Sequence, residues 1–271
     1  MPQLEVVGGA IEYVVINGRN DRAPLVFLHH GLGSIAGWFR IYAPIAAATD
    51  RKALIYSRHG YGHSAPATIP RLVSYLDHES TVVLPEVLKR MGFEEPVLVG
   101  HGDGAAIALL YAARSPKKLP GLALMAPLVS VEEHTLKGIR AAEAEFINGD
   151  LRAKLALIHD NPNAAFYGWH DVWLSHEFRN WDIAHQFDPV TSPTLVISGC
   201  RDEFASSFQA DALVPLSGSL TSRVEIAEAP HEIHLTHPEV VTRTIIEFLA
   251  ATSPEGPNVP AVQTLAQRGT S

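Results

Sequence analysis

The sharpest chemical signal is the stretch Val97-Leu98-Val99-Gly100-His101-Gly102-Asp103-Gly104-Ala105. An apolar run, a glycine-rich turn and a second apolar segment read as strand, tight turn and helix. That is the context of a G-x-S-x-G nucleophile elbow, with the attacking side chain at its centre. Here the centre is Gly102, so the mount is present and the attacking oxygen is missing. Gly100 and Gly104 let strand and helix approach closely. Elbow nucleophiles sit in sparsely populated backbone angles, and a glycine there relieves about 1–3 kcal/mol of strain. The lost CH₂OH leaves roughly one water's worth of space, and a water is expected in it.

Other reactive types are scattered. The chain holds 14 histidines and a single cysteine, Cys200. His29, His30, His59 and His63 lie in loops, but their spacing matches neither H-E-x-x-H nor C-x-x-C, so no metal site is expected. Cys200 cannot form an internal disulfide and reads as a small buried hydrophobe rather than a relocated nucleophile. His101 reads as packing, and His234 and His237 as helix-start or surface residues.

The elements that must position these residues follow from composition and period. With 271 residues, 46% of them hydrophobic, and a net charge of −8, the chain can bury a large core and is not a disordered or fibrous sequence. The acidic balance without a basic run argues against nucleic acid or an anionic membrane as partner. No apolar stretch is long enough to span a bilayer and no signal peptide is read, so a cytoplasmic location is expected. Short strands are expected at Ala10–Ile16, Leu25–Leu28, Ala53–Tyr56, Pro96–Gly100, Leu122–Met125, Thr194–Ser198 and Arg223–Ile226. Helices alternate with them at Leu72–Met91, Ala105–Ala113, Ser206–Leu213 and Pro238–Ala250. Residues 131–187 break the alternation with a helical, aromatic-rich block. The fold class is therefore α/β, a mostly parallel sheet flanked by helices (residues 1–130 and 188–252) with a helical cap insertion at 131–187. Residues 253–271 read as a loose tail.

Four landmarks in order make the chain resemble the α/β-hydrolase superfamily, closest to its capped esterase and carbon–carbon-bond hydrolases. They are His29-His30-Gly31-Leu32-Gly33 (oxyanion loop), the elbow, Gly199-Cys200-Arg201-Asp202 (acid) and Pro230-His231-Glu232-Ile233-His234 (histidine). The resemblance implies roles. His231 is the general base, Asp202 fixes its tautomer, and Gly102 holds the nucleophile position. The amides of Asp103 and of Gly31 or Leu32 form the oxyanion hole. The cap lies over the site, with His30, Trp38, Trp169 and Trp173 as candidate substrate-binding residues. No cofactor or metal is implied. The expected partner is a small apolar or aromatic molecule, and a homodimer stays open.

Three residues depart from the family pattern: Gly102, Pro230 before the histidine, and His30 where a small or acidic residue is usual. Two kinds of protein fit. One is a hydrolase scaffold for an acyl, lactone or C–C bond, inactivated or diverged to use the His-Asp dyad without a nucleophile. The other is a non-catalytic binding protein.

Overall fold

A computed structural model of the chain describes residues 1–187, 190–213 and 221–252. The expected tail at 253–271 lies outside the described residues. Among the described residues, eight strands form one sheet in the order β1-β2-β4-β3-β5-β6-β7-β8. They are β1 Gln3–Val6, β2 Gly9–Ile16, β3 Leu25–Leu28, β4 Ala53–Tyr56, β5 Val97–His101, β6 Leu122–Met125, β7 Thr194–Gly199 and β8 Thr221–Ile226. β1–β2 and β2–β4 pair antiparallel, and every pairing from β3 to β8 is parallel. The sheet is mostly parallel, as expected, and β1 is an addition that the alternation did not signal.

Strand residues alternate between two cores because successive side chains point to opposite faces. Leu25, Phe27, Val97, Val99, Leu195 and Ile197 pack on one face. Val26, Leu28, Leu98, Leu122, Leu124 and Val196 pack on the other. Both faces are dry, which is why these strands read as unbroken apolar runs.

Helices cover both faces: α1 Tyr42–Thr49, α2 Tyr75–His78, α3 Leu84–Met91, α4 Asp103–Arg114, α5 Glu133–Asn148, α6 Leu151–Ala156, α7 Pro162–Leu174, α8 Ser207–Asp211, α9 Ile233–Thr236 and α10 Pro238–Ala251. The single helix expected over Leu72–Met91 is instead α2 and α3 joined by a π-helical turn, Glu79–Val83. Pro85 explains the widening, since it cannot donate to Thr81 and its ring crowds that carbonyl. Helices α5 to α7 occupy the interval between β6 and β7.

The elbow depends on close approach. A Cβ on Gly104 would stand 2.0 Å from the Leu28 carbonyl oxygen, and one on Gly100 would stand 2.5 Å from the Gly104 carbonyl oxygen. Both obstacles are backbone and cannot swing aside. Gly104→Ala is expected to cost at least about 3 kcal/mol, lowering Tm by roughly 6–12 °C. A melting curve matching the native one would remove this account of the glycine.

Candidate active site

β5 ends at His101, α4 begins at Asp103, and Gly102 between them has φ 53° and ψ −117°. That left-handed φ suits glycine and strains any other residue. The direction of the absent side chain is informative. A Cβ at 102 would lie 3.1 Å from His231 Nε2 and 3.0 Å from His30 Cβ. The turn therefore still aims at the histidine. The gap has partly closed, however. A water at the Cβ position would press on His30, so a water bound to Nε2 must stand further toward the cavity than expected.

Asp202 follows β7 and His231 follows β8, and the two meet across the loops. His231 Nδ1 donates to Asp202 Oδ2 and Oδ1 at 2.9 and 3.0 Å. Asp202 is itself held, because Oδ1 accepts the amides of Phe204 and Ala205 at 2.8 Å each. The His231 amide donates to Glu203 Oε2 at 3.1 Å. With Nδ1 carrying the hydrogen, Nε2 is the bare basic nitrogen. Burial pushes His231 toward the neutral form. The charge and hydrogen bond of Asp202, with Glu203 and Glu232 behind them, outweigh it and raise the pKa above the usual histidine value.

Three neighbouring imidazoles behave oppositely. The rings of His30 and His231 lie 4.7 Å from that of His101, as does that of His234. Burial first, then the charge of His231, drives His30 and His101 well below the ordinary value and His234 to about 3. His101 Nε2 donates to the His231 carbonyl at 3.0 Å, which leaves its Nδ1 bare. Of four clustered histidines, one is disposed to take a proton. Divergent environments of this kind mark acid–base assignments.

A cavity of about 360 Å³ lies between this constellation and helices α5 to α7. His30, Gly31, Leu32, Asp103 and His231 form its floor, and Trp169 and Trp173 of α7 stand on the other side. Trp169 lies directly on Gly31, where a Cβ would meet its indole at 2.2 Å. Trp173 Nε1 donates to the Tyr75 hydroxyl at 2.9 Å, which donates to Asp103 Oδ2 at 2.6 Å. The Asp103 side chain is thus turned into the protein while its amide sits at the N-terminus of α4, where helical donors lack partners. The Leu32 amide reaches His30 Nδ1 at a long 3.4 Å.

Three expectations need correction. Trp38 does not line this cavity. It is buried in the core on the other face of the sheet, 5.3 Å from Phe27 and 5.0 Å from His234, because the short 3₁₀ turn Ile35–Trp38 carries it under the loop. His234 does stand in the first turn of a helix, α9, but it is not at the surface: it is a 1% exposed member of the imidazole cluster. Cys200 is exposed rather than buried, and desolvation together with Glu225 raises its thiol pKa, the reverse of activation. Among the described residues no group of three His, Cys, Asp or Glu side chains is arranged to hold a metal, and no helix is long and apolar enough to cross a membrane. Sequence reasoning overlooked Tyr75, Glu203 and Phe204. Adjacency to Asp202 was an available signal for the last two, and none pointed to Tyr75.

Comparison with known proteins agrees with the geometry. Residues 23–172 match the family model described as alpha/beta hydrolase fold. The chain is 29% identical over 175 residues to a proline iminopeptidase of Lactobacillus delbrueckii subsp. bulgaricus, covering 59% of this chain and 58% of that protein, so it spans little more than half of that relative. It is also 29% identical to the sn-1-specific diacylglycerol lipase ABHD11 of Danio rerio, over 88% of this chain and 82% of the other. Among solved structures, the enol-lactonase from Burkholderia xenovorans LB400 superposes with a TM-score of 0.71 at 19% identity, covering 92% of this chain and 99% of that one. At that identity the likeness speaks for the fold alone. Family model, strand order and elbow agree: this chain belongs to the alpha/beta hydrolase fold family.

Proposed function

We propose that the chain is a cofactor-free hydrolase that uses water at the position where the elbow of the resembled superfamily carries its nucleophile, acting on an acyl, lactone or C–C bond of an apolar or aromatic small molecule. The observation that carries this reading is the bare Nε2 of His231, backed by Asp202 and aimed at the empty side-chain position of Gly102. On an ester, His231 removes a proton from a water standing toward the cavity, and the water oxygen attacks the acyl carbon. The oxyanion is received by the Asp103 amide and by that of Leu32, with Gly31 as its alternate. Collapse breaks the acyl–oxygen bond, and His231 returns its proton to the departing alcohol. Helices α5 to α7 act as the cap, and Trp169, Trp173 and His30 as the walls that hold the apolar body of the substrate.

A panel of p-nitrophenyl esters, thioesters and lactones tests the reading. Native turnover that falls about 10²–10⁴-fold in His231→Ala supports it, as that is the usual worth of a positioned base. Equal turnover in both proteins removes the dyad from the mechanism. One observation favours a second reading. His30 engages the Leu32 amide and crowds position 102, as a protein that only binds its ligand would tolerate. Tight ligand binding by the native protein with no turnover would establish that alternative.

A further inference from the structure

A second polar system lies behind the cavity floor. Tyr56, Arg58, Tyr61, Glu79 and Asp103 are all nearly or fully buried, as is Tyr75. They are contiguous. The guanidiniums of Arg58 and Arg71 both stand over the Tyr61 ring, at 5.0 and 4.8 Å. Arg71 also stands 5.7 Å over Tyr75, whose hydroxyl binds Asp103 at 2.6 Å. Arg58 Nη2 stands 3.8 Å from Asp103 Oδ2. Burial first, and then the charge of Glu79, raises the Tyr56 phenol.

Within this group, Tyr56 Oη, Arg58 Nε and Nη1, Tyr61 Oη, Arg71 Nε, Glu79 Oε2 and Asp103 Oδ1 are buried without a hydrogen-bond partner in the protein. A buried polar group left unpaired forfeits its hydration with nothing in return, so this many together are not tolerable dry. The set mixes donors and acceptors, which is what a water needs to make its two to four bonds. The group also reaches two openings. Arg71, Tyr75 and Glu79 line a surface groove of about 280 Å³ whose outer edge includes Thr68 and Ser74. Asp103 lines the cavity that holds His231.

We infer that these residues form a hydrated passage from the surface groove to the floor of the cavity, delivering water beside Gly102 from below. The inference deepens the proposed hydrolysis and its delivery role rests on that reading. A substrate filling the space under Trp169 and Trp173 would shut off water from above. A supply from behind Asp103 keeps the attacking molecule available while the apolar walls stay dry.

Three measurements test it. A high-resolution crystal structure is expected to hold a connected file of ordered waters bonded to these orphaned atoms, and a chamber without water overturns the inference. Tyr56→Phe is expected to lower Tm by about 2–4 °C if its hydroxyl is hydrated. A raised Tm means the hydroxyl was truly unsatisfied, and the chamber is dry. Thr68→Trp, at the exposed mouth of the groove, is expected to lower kcat on esters several-fold with KM unchanged, and an unchanged kcat overturns delivery. The first two readouts need no catalysis. If the ester panel shows no turnover at all, the proposed hydrolysis fails, while the waters and the Tyr56→Phe melting curve still decide the passage.

Discussion

Gly102→Ser is expected to turn the chain into a serine hydrolase, with a burst of acyl-enzyme and a rise in ester turnover of at least about a hundredfold. The backbone is already bent as an elbow requires, and the Cβ vector points at His231 Nε2. A hydroxyl there meets a base whose Asp202 partner is in place. The substitution also has a cost. A residue with a side chain at φ 53° is strained, by roughly 1–3 kcal/mol, and its Cβ would stand 3.0 Å from His30 Cβ. His30 and position 102 should therefore couple. Adding His30→Gly to Gly102→Ser is expected to raise turnover beyond the single variant and recover part of its lost Tm, a non-additive pair. Labelling by a fluorophosphonate reports the new nucleophile directly. Folded single and double variants that neither burst nor label would mean the elbow is no longer a nucleophile mount.

The second large effect is acid unfolding well above the range where carboxylates titrate. His29, His30, His101 and His234 all have pKa values pushed below the usual histidine value, burial being the leading cause for each. Their folded pKa is depressed, so the stability they contribute is present above pH 6.5. It is lost as pH falls from there, because the unfolded chain binds protons that the fold excludes. Each excluded proton costs about 1.4 kcal/mol per pH unit, so four give a slope of up to roughly 5 kcal/mol per unit. A stability of about 5–15 kcal/mol is consumed within about one to three units. His231 runs the other way. Its raised pKa supplies stability that is complete below pH 6.5 and is lost as pH rises through its folded value, so it gives no protection in acid. Circular dichroism melts from pH 8 down to pH 4 should therefore show Tm falling steeply below about pH 6.5. A flat Tm between pH 7 and pH 5 would mean the cluster takes up protons within the fold.

What could be read from sequence depended on whether a property is local. The elbow, Asp202 and His231 were legible because each stands at the end of a strand in a fixed order, and chain order survives folding. β3 and β4 were legible because burial on both faces leaves an unbroken apolar run. Trp38 was misread because nothing in its neighbourhood says which way a one-turn 3₁₀ helix rotates, and the face of the sheet decides whether it meets a ligand or Phe27. The burial of His234 is illegible for the same reason, although its place at a helix start is not. Its four-residue helix α9 turns it inward onto His101, a residue more than a hundred positions away in sequence. The buried group around Arg58 leaves no local signal, because its charge balance is made by Asp103 and Glu79 from other elements.

Three of the four tryptophans divide between two environments, and the fourth, Trp181, packs against Trp173. Trp169 and Trp173 wall the cavity, with Trp173 bonded to Tyr75 and its ring 5.5 Å from Trp181, while Trp38 is sealed on the opposite side of the sheet. The protein therefore carries its own optical gauge. A molecule entering the cavity perturbs the emission of the first pair and leaves Trp38 as a constant background, so occupancy can be followed by eye of the spectrometer in the native, unlabelled chain, ahead of any knowledge of what the chain transforms.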